Sequence, residues 1–172
     1  GVYMGEQVQR MSTNYRSNFA RLAKLLAQQG DTLRAIKTLD RCMEVMPPNK
    51  IQVDYFSVYL ADAYYKAGGT EKANDLMRIL INKYTSEIEW YIKQEDHIAI
   101  KLGDEVQRSL QYLRNIKYFL NKNVDFVRST QGIGLEEAEE IVQSVLEFEK
   151  ANGNGIDRFL NKIEKASKRS RR

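Results

Sequence analysis

Apolar residues recur at helical spacing along most of the chain. The first apolar stripe comprises Phe19, Leu22, Ala23 and Leu26. It predicts a helix over residues 14–29 that packs on one side and ends at Gly30. Asp31 is a candidate N-cap for a second helix, which Pro47 and Pro48 end. The two helices predict an antiparallel hairpin.

A second hairpin follows in the same register. Residues 55–66 and 70–84 predict its helices, with Gly68 and Gly69 in the turn. Equivalent positions of the two hairpins are 38 residues apart, namely Leu22 and Leu60, Ala23 and Ala61, Gly30 and Gly68, Ala35 and Ala73, and Leu39 and Met77. Small residues recur where helices must approach closely, and glycines recur where the chain must turn.

This pattern resembles the tetratricopeptide repeat, whose helix–turn–helix unit has about 34 residues. Phe19 stands where that family has tryptophan, and Thr85 stands where the second copy should close with proline. About four extra residues separate the copies, within 47–54. The resemblance implies an all-α fold of tetratricopeptide-like antiparallel helical hairpins, a right-handed helical repeat, with additional C-terminal helices.

Helical periodicity continues after the repeats, but their landmarks fade. A helix over 88–102 precedes a stop and N-cap at Gly103 and Asp104. The next helix carries the apolar stripe Val106, Leu110, Leu113, Ile116 and Leu120. We interpret this region as a degenerate third hairpin. A loop over 129–134, a helix over 135–151 and a glycine linker over 153–155 follow. Sustained period-two alternation is absent, so no sheet is expected.

Four segments are therefore expected. Residues 1–10 form an N-terminal extension or cloning remnant, 11–122 the repeat domain, 123–164 the additional helices and 165–172 a basic tail. Because the chain begins with Gly1 rather than methionine, we expect it to be a segment of a longer protein.

The charge is concentrated at one end. Lys and Arg total 27 against 23 Asp and Glu, and five of the basic residues fall in 165–172. The rest of the chain therefore has 22 basic and 23 acidic residues, a net charge of −1. We expect the tail to be a solvated, disordered end, with anionic lipid as an alternative ligand and nucleic acid disfavoured. No apolar run approaches the roughly 18–20 residues of a membrane span, so the segment is expected to be soluble.

Catalytic and metal-binding patterns are missing from the sequence. A single cysteine, Cys42, and a single histidine, His97, exclude a disulfide and cysteine- or histidine-rich metal centres. We expect a buried, inert thiol and a surface or interfacial histidine. The glycines of 132–134 lack the third glycine and the strand of a dinucleotide loop, and the acidic run of 135–140 is expected to be solvated. No enzyme activity, cofactor or metal is predicted.

The repeats themselves offer a binding surface. The first helix of each tetratricopeptide hairpin lines a concave groove that binds a peptide or protein. The groove positions carried over from the family are Lys24, Gln28, Tyr55, Tyr59, Asp62, Tyr65 and Lys66. Alternatively, the three tyrosines pack against the neighbouring hairpin or the C-terminal helices. Ala20 occupies the position of a lysine that grips peptide carboxylates in chaperone-binding members, which disfavours a chaperone-tail adaptor.

A closer resemblance rests on three segments: NYRSNFARLA at 14–23, LDRCMEVMP at 39–47 and AYYKAG at 63–68. They resemble the C-terminal soluble region of a family of large Gram-negative multi-pass membrane proteins, associated with GT-C-type, protein O-mannosyltransferase-like glycosyltransferases. The resemblance implies that a membrane-embedded half performs glycosyl transfer. This segment would be a non-catalytic accessory domain of an inner-membrane protein, periplasmic with cytoplasmic as the alternative. It would contact the parent's membrane domain and recruit protein acceptors or a partner subunit. An autonomous soluble scaffold with a peptide- or protein-binding groove remains the alternative.

Overall fold

A computed structural model describes residues 5–94 and 101–170. The elements are α1 (Glu6–Gln28), α2 (Thr32–Val45), a 3-10 turn (Tyr55–Ser57), α3 (Val58–Ala67), α4 (Thr70–Ile92), α5 (Gly103–Ser129) and α6 (Leu135–Ser170). These two ranges contain no strand. The predicted all-α, tetratricopeptide-like fold is confirmed.

Glycine turns and small residues build the first two hairpins as predicted. The backbone is left-handed at Gly30 (φ +81°) and Gly68 (φ +84°), a conformation that glycine adopts without strain. The Asp31 carboxylate accepts a hydrogen bond from the backbone N–H of Arg34 at 3.1 Å, which confirms the N-cap. The alanines of the repeated register, Ala23, Ala35, Ala61 and Ala73, are completely buried between helices.

The helices pack mainly on their neighbours along the chain. Helix α3 contacts both α1 and α2, and α5 contacts both α3 and α4. Helix α4 also contacts α6, which lies against α5. The predicted helix over 88–102 is wrong, because residues 88–92 belong to α4 and residues 93 and 94 are not helical; residues 95–100 lie outside the described part of the chain. Helix α5 pairs instead with α6 across residues 130–134, and these two helices form the third hairpin. Each hairpin buries the open side of the one before it, as expected of stacked repeats.

Several helix boundaries differ from the predictions. Helix α1 begins at Glu6, eight residues before the predicted start. Helix α4 continues through Thr85 to Ile92, because Ile88 is completely buried in the core and the Thr85 hydroxyl bonds back to the carbonyl of Ile81. Helix α5 begins at Gly103, so the predicted cap at Asp104 is wrong.

The predicted glycine linker over 153–155 is also wrong, since α6 runs through it without interruption. A Cβ atom at Gly155 would lie 3.4 Å from Cδ1 of Ile92, so α6 packs against the end of α4 at this position. Helix α6 extends to Ser170 and includes residues 165–170 of the basic tail, which was expected to be disordered. Tertiary packing outweighs the weak helix propensity of the two glycines.

Arg16 is buried although it was not predicted to be important. Its guanidinium donates to the carbonyls of Gln52 at 2.9 Å, Met46 at 3.0 Å and Ile51 at 2.7 Å. The side chain is 1% exposed, and burial lowers the pKa of Arg16, with nearby Asp54 opposing that shift. Arg16 thereby holds the segment that links the two hairpins and satisfies its backbone acceptors.

Polar side chains tie α3, α4 and α6 together. The Tyr65 hydroxyl donates to Oδ1 of Asn74 at 2.6 Å, and Nδ2 of Asn74 donates to Glu137 at 3.0 Å and to the carbonyl of Gly134 at 3.2 Å. Arg78 also bonds to Glu137. These partners, Asn74 first and Arg78 second, lower the pKa of Glu137. The acidic run is therefore anchored at this residue, contrary to the prediction of a fully solvated helix start.

Among the described helices, none combines the length and the apolar character needed to cross a membrane. The described residues likewise hold no group of three or more His, Cys, Asp or Glu side chains suited to a metal ion.

Candidate functional site

A polar cluster joins α1 to α3 on the face where the groove was predicted. Nζ of Lys24 lies 2.6 Å from Oδ2 of Asp62. The Asp62 side chain is 4% exposed, whereas that of Lys24 is 38% exposed. The other carboxylate oxygen of Asp62, Oδ1, is buried and has no hydrogen-bond partner in the described part of the chain. Burying a charged acceptor is costly, and the pair with Lys24 offsets part of that cost on the Oδ2 side.

Lys66 extends the cluster toward α5. Its ammonium lies 3.6 Å from the centroid of the Phe126 ring, a cation–π contact. Burial lowers the pKa of Lys66; Asp62 opposes this, and the charges of Lys122 and Lys24 lower the pKa further. Three helices thus each contribute an ammonium group to this face, and an anionic group bound there would relieve their repulsion.

Aromatic side chains continue the same face. Tyr55 stacks on Tyr112 with ring centroids 4.5 Å apart, and Tyr59 meets the edge of Phe119 at 5.6 Å. We call Tyr55, Tyr59, Tyr112, Phe119 and Phe126 the aromatic row. The two tyrosines therefore pack against α5, as the alternative interpretation held, but both remain half-buried and keep surface for a ligand.

The structure does not bring every predicted residue to this face. Tyr65 is 1% exposed and points toward Asn74 on α4, so its side chain has no surface left for a ligand. Gln28 is exposed one helical turn beyond Lys24, near the end of α1.

A cleft of about 580 Å³ opens beside the aromatic row, between the N-terminal half of α1, the 3-10 turn, α4 and α5. Its walls combine aromatic and charged side chains, among them Arg10, Asp54, Tyr55, Tyr84, Glu87 and Arg108. Internal bonds fix part of the lining: Ser109 donates to Glu87 at 2.8 Å, and Lys83 donates to the carbonyl of Val53 at 3.1 Å. Aromatic and arginine side chains of this kind are enriched at protein interfaces.

The aromatic partners on α5 were missed from the sequence. Tyr112, Phe119 and Phe126 recur every seven residues, a spacing that places them on one side of a helix. This second stripe lies beside the apolar stripe that was recognised, and it could have been found. The cleft was missed because it needs Arg10 and its neighbours, which lie in the unpredicted first turns of α1.

Cys42 takes no part in a reactive site. Its side chain is completely buried, and burial raises the pKa of the thiol to about 11, with Arg16 opposing the shift. The expected burial of this cysteine is confirmed, and the raised pKa favours the protonated, less nucleophilic thiol. His97 lies outside the described residues.

A family model described as tetratricopeptide repeat matches residues 57–86. The match covers α3 and the first part of α4, which is the second of the two predicted hairpins. No curated protein and no solved structure matches the chain. Together, the helical architecture and this match define a tetratricopeptide-like helical-repeat domain. Such domains generally mediate protein–protein interactions, and the fold is generally non-catalytic.

Proposed function

We propose that this chain binds a peptide or an extended segment of a protein along the face formed by Lys24, Asp62, Lys66 and the aromatic row. The observation that carries the proposal is the ion pair of Lys24 and Asp62 beside the half-buried Tyr55 and Tyr59, on the face where helical repeats present their binding surface. The pair fixes the side chain of Lys24, which is 38% exposed, so that its ammonium is held on this face for a ligand.

The neighbouring side chains suit the same ligand. Tyr55 and Tyr59 are half-buried, so they offer apolar surface with little rotamer entropy to lose on binding. Lys24 and Lys66 stand on either side of Asp62 and supply cations for carboxylates of the ligand. The cleft next to the row provides volume for a bulky side chain.

The binding face is tested with a peptide selected on the chain from a phage-displayed random library. Fluorescence anisotropy then measures its affinity for Asp62→Asn, Lys66→Ala and Tyr59→Ala. We expect each substitution to weaken binding at least about tenfold, or about 1.4 kcal/mol. Glu44→Gln, an exposed acid on α2 that pairs with Arg41, is the matched control and should bind like the unchanged chain. Equal affinity in all four variants, or the failure of any peptide to be enriched, would contradict the proposal.

We also propose that the chain is the soluble C-terminal part of a membrane-embedded, glycosyltransferase-like protein, on the periplasmic side. The support is the resemblance of segments 14–23, 39–47 and 63–68 to that family. In this setting the binding face would hold a protein acceptor or partner subunit, and the chemistry would belong to the membrane half. The alternative is an autonomous scaffold that uses the same face, in the periplasm or the cytoplasm.

Fractionation of source cells separates these two settings. An antibody raised against the chain should detect a band far larger than 20.0 kDa in the membrane fraction. A band of the chain's own size in the soluble fraction would reject the membrane parent and would leave the binding face unaffected.

A further inference from the structure

One side of α1 exposes large apolar side chains. We call these residues the outer stripe: Val8, Met11, Tyr15, Leu22 and Leu25. The exposed fraction of each residue lies between 42% and 55%. At about 100° per residue, the five lie within an arc of about 100° around the helix. The other residues within the arc are Gln7, Asn18, Leu26 and Gln29, none of which carries a charge.

The absence of charge is unusual for this chain, in which 29% of residues are charged. The centres of protein interfaces are depleted in charged residues, whereas solvated surfaces are not. Leu22 was predicted to lie on the packed side of its helix, and its exposure is the clearest departure from the repeat pattern. The outer stripe therefore has the composition of an interface without its partner.

The internal repeat shows what kind of partner fits. Leu22 and Leu25 are equivalent to Leu60 and Ala63 of α3, 38 residues later. Both equivalents are completely buried, because α3 packs against α1 and α2. Leu22 and Leu25 thus occupy the surface on which, one repeat later, a helix is already docked. Its natural occupant is another helix.

A head-to-tail stack of identical chains lacks a matching surface. Such a stack would place the outer stripe against α5 or α6 of the next copy. Among the described residues of those two helices, the large apolar side chains that are exposed are Tyr118 and Leu146. The C-terminal end of the stack is therefore polar, and the N-terminal end is apolar.

The spacing within the outer stripe instead allows it to pack against the outer stripe of a second copy of the chain. In an antiparallel pair centred on Asn18, Met11 of one chain lies opposite Leu25 of the other, and Leu22 lies one residue beyond the position opposite Tyr15, close enough for their side chains to meet. Asn18 then faces Asn18 of the other chain at the two-fold axis, where the two amides can bond to each other. We propose that two copies of this chain pair through α1, antiparallel, with the outer stripe as the interface.

This pairing is independent of the peptide-binding face. Lys24 is two residues from Leu22 and therefore points to the other side of α1, by about 200° of rotation. A contact between two single helices is at the small end of specific interfaces, so we expect a dimer that dissociates on dilution.

Sedimentation velocity of the full chain tests the pairing over a range from about 1 μM to about 1 mM. The mass should rise with concentration from 20.0 kDa toward twice that value. Asn18→Asp and Asn18→Lys each place like charges at the axis, so each alone should need at least about tenfold more protein to dimerise. Mixed in equal amounts, the two variants should associate again, because opposite charges then meet.

Leu33→Asp provides the matched control, since Leu33 is 74% exposed on α2 and lies outside the outer stripe. It should dimerise like the unchanged chain. Circular dichroism checks that all variants keep their helix content, which substitutions at exposed positions should not disturb. A monomer throughout the concentration range overturns the proposal. The proposal is also overturned if either Asn18 variant dimerises at the same concentration as the unchanged chain. It is overturned equally if the mixture of the two variants does not associate.

Discussion

Replacing Arg16 with methionine is expected to lower the free energy of unfolding by about 3 to 5 kcal/mol. The substitution keeps most of the apolar volume but removes the donors to the carbonyls of Met46, Ile51 and Gln52. Those acceptors would then be left unpaired beside the core, and the segment between the hairpins would lose its attachment to α1. Urea denaturation followed by circular dichroism measures the loss.

Two further variants make this result specific. Arg16→Lys retains a cation but loses the planar fork that reaches several carbonyls at once, so we expect an intermediate loss of stability. Arg21→Met changes an exposed arginine on the same helix and should stay within about 0.5 kcal/mol of the unchanged chain. If Arg16→Met and Arg21→Met unfold at the same urea concentration, Arg16 does not hold the connecting segment.

Truncation of Leu39 or Met77 to alanine is expected to cost about 2 to 5 kcal/mol each. The two residues are equivalent positions of the repeated register, and both are completely buried. Each truncation removes apolar contacts and leaves a cavity that the surrounding helices only partly refill. Thermal denaturation of the two variants measures the effect at both hairpins.

The control for these truncations is Leu33→Ala, because Leu33 shares the helix of Leu39 but is 74% exposed. Its melting temperature should remain close to that of the unchanged chain. Near-normal melting of Leu39→Ala and Met77→Ala would contradict the assignment of both positions to the core of a repeat.

The hairpins could be predicted because their determinants are local. A left-handed turn requires glycine, and closely packed helices require alanine, so Gly30, Gly68 and the paired alanines mark the repeat directly in the sequence. The N-cap at Asp31 is local in the same sense. These signals need no knowledge of what the helices pack against.

The remaining features depend on contacts between distant parts of the chain. Arg16 is polar, so a search for apolar periodicity passes over it, although it is nearly completely buried. In the sequence, Gly155 is typical of a linker, but in the structure it lies within α6 and next to Ile92 of α4. Leu22 satisfies the apolar pattern, yet its side chain is half exposed. Periodicity reports which side chains are apolar but not which neighbours are present.

The candidate site was predicted in part for the same reason. Lys24, Asp62 and Lys66 follow from the family's groove positions, and the structure brings them together. Tyr65 was also predicted from the family's groove positions. Its hydroxyl instead donates a hydrogen bond to Asn74 on the next helix, so its side chain points into the core. The contribution of α5 depends on how the third hairpin docks, which no local signal specifies.

The position of α6 on α4 has a consequence for synthesis of the chain. Each of the first two hairpins can close as soon as its second helix has emerged from the ribosome. Helix α4 completes its contacts later, because some of its partners lie on α6, which is synthesised last. Asn74 and Arg78 bond to Glu137, and Ile92 packs beside Gly155. At translation rates of about 5 to 20 residues per second, the side of α4 that faces α6 stays uncovered for roughly 3 to 13 s after Ile92 is added. During that interval the nascent chain exposes an unfinished apolar surface, and chaperones have time to bind it before the last helix closes.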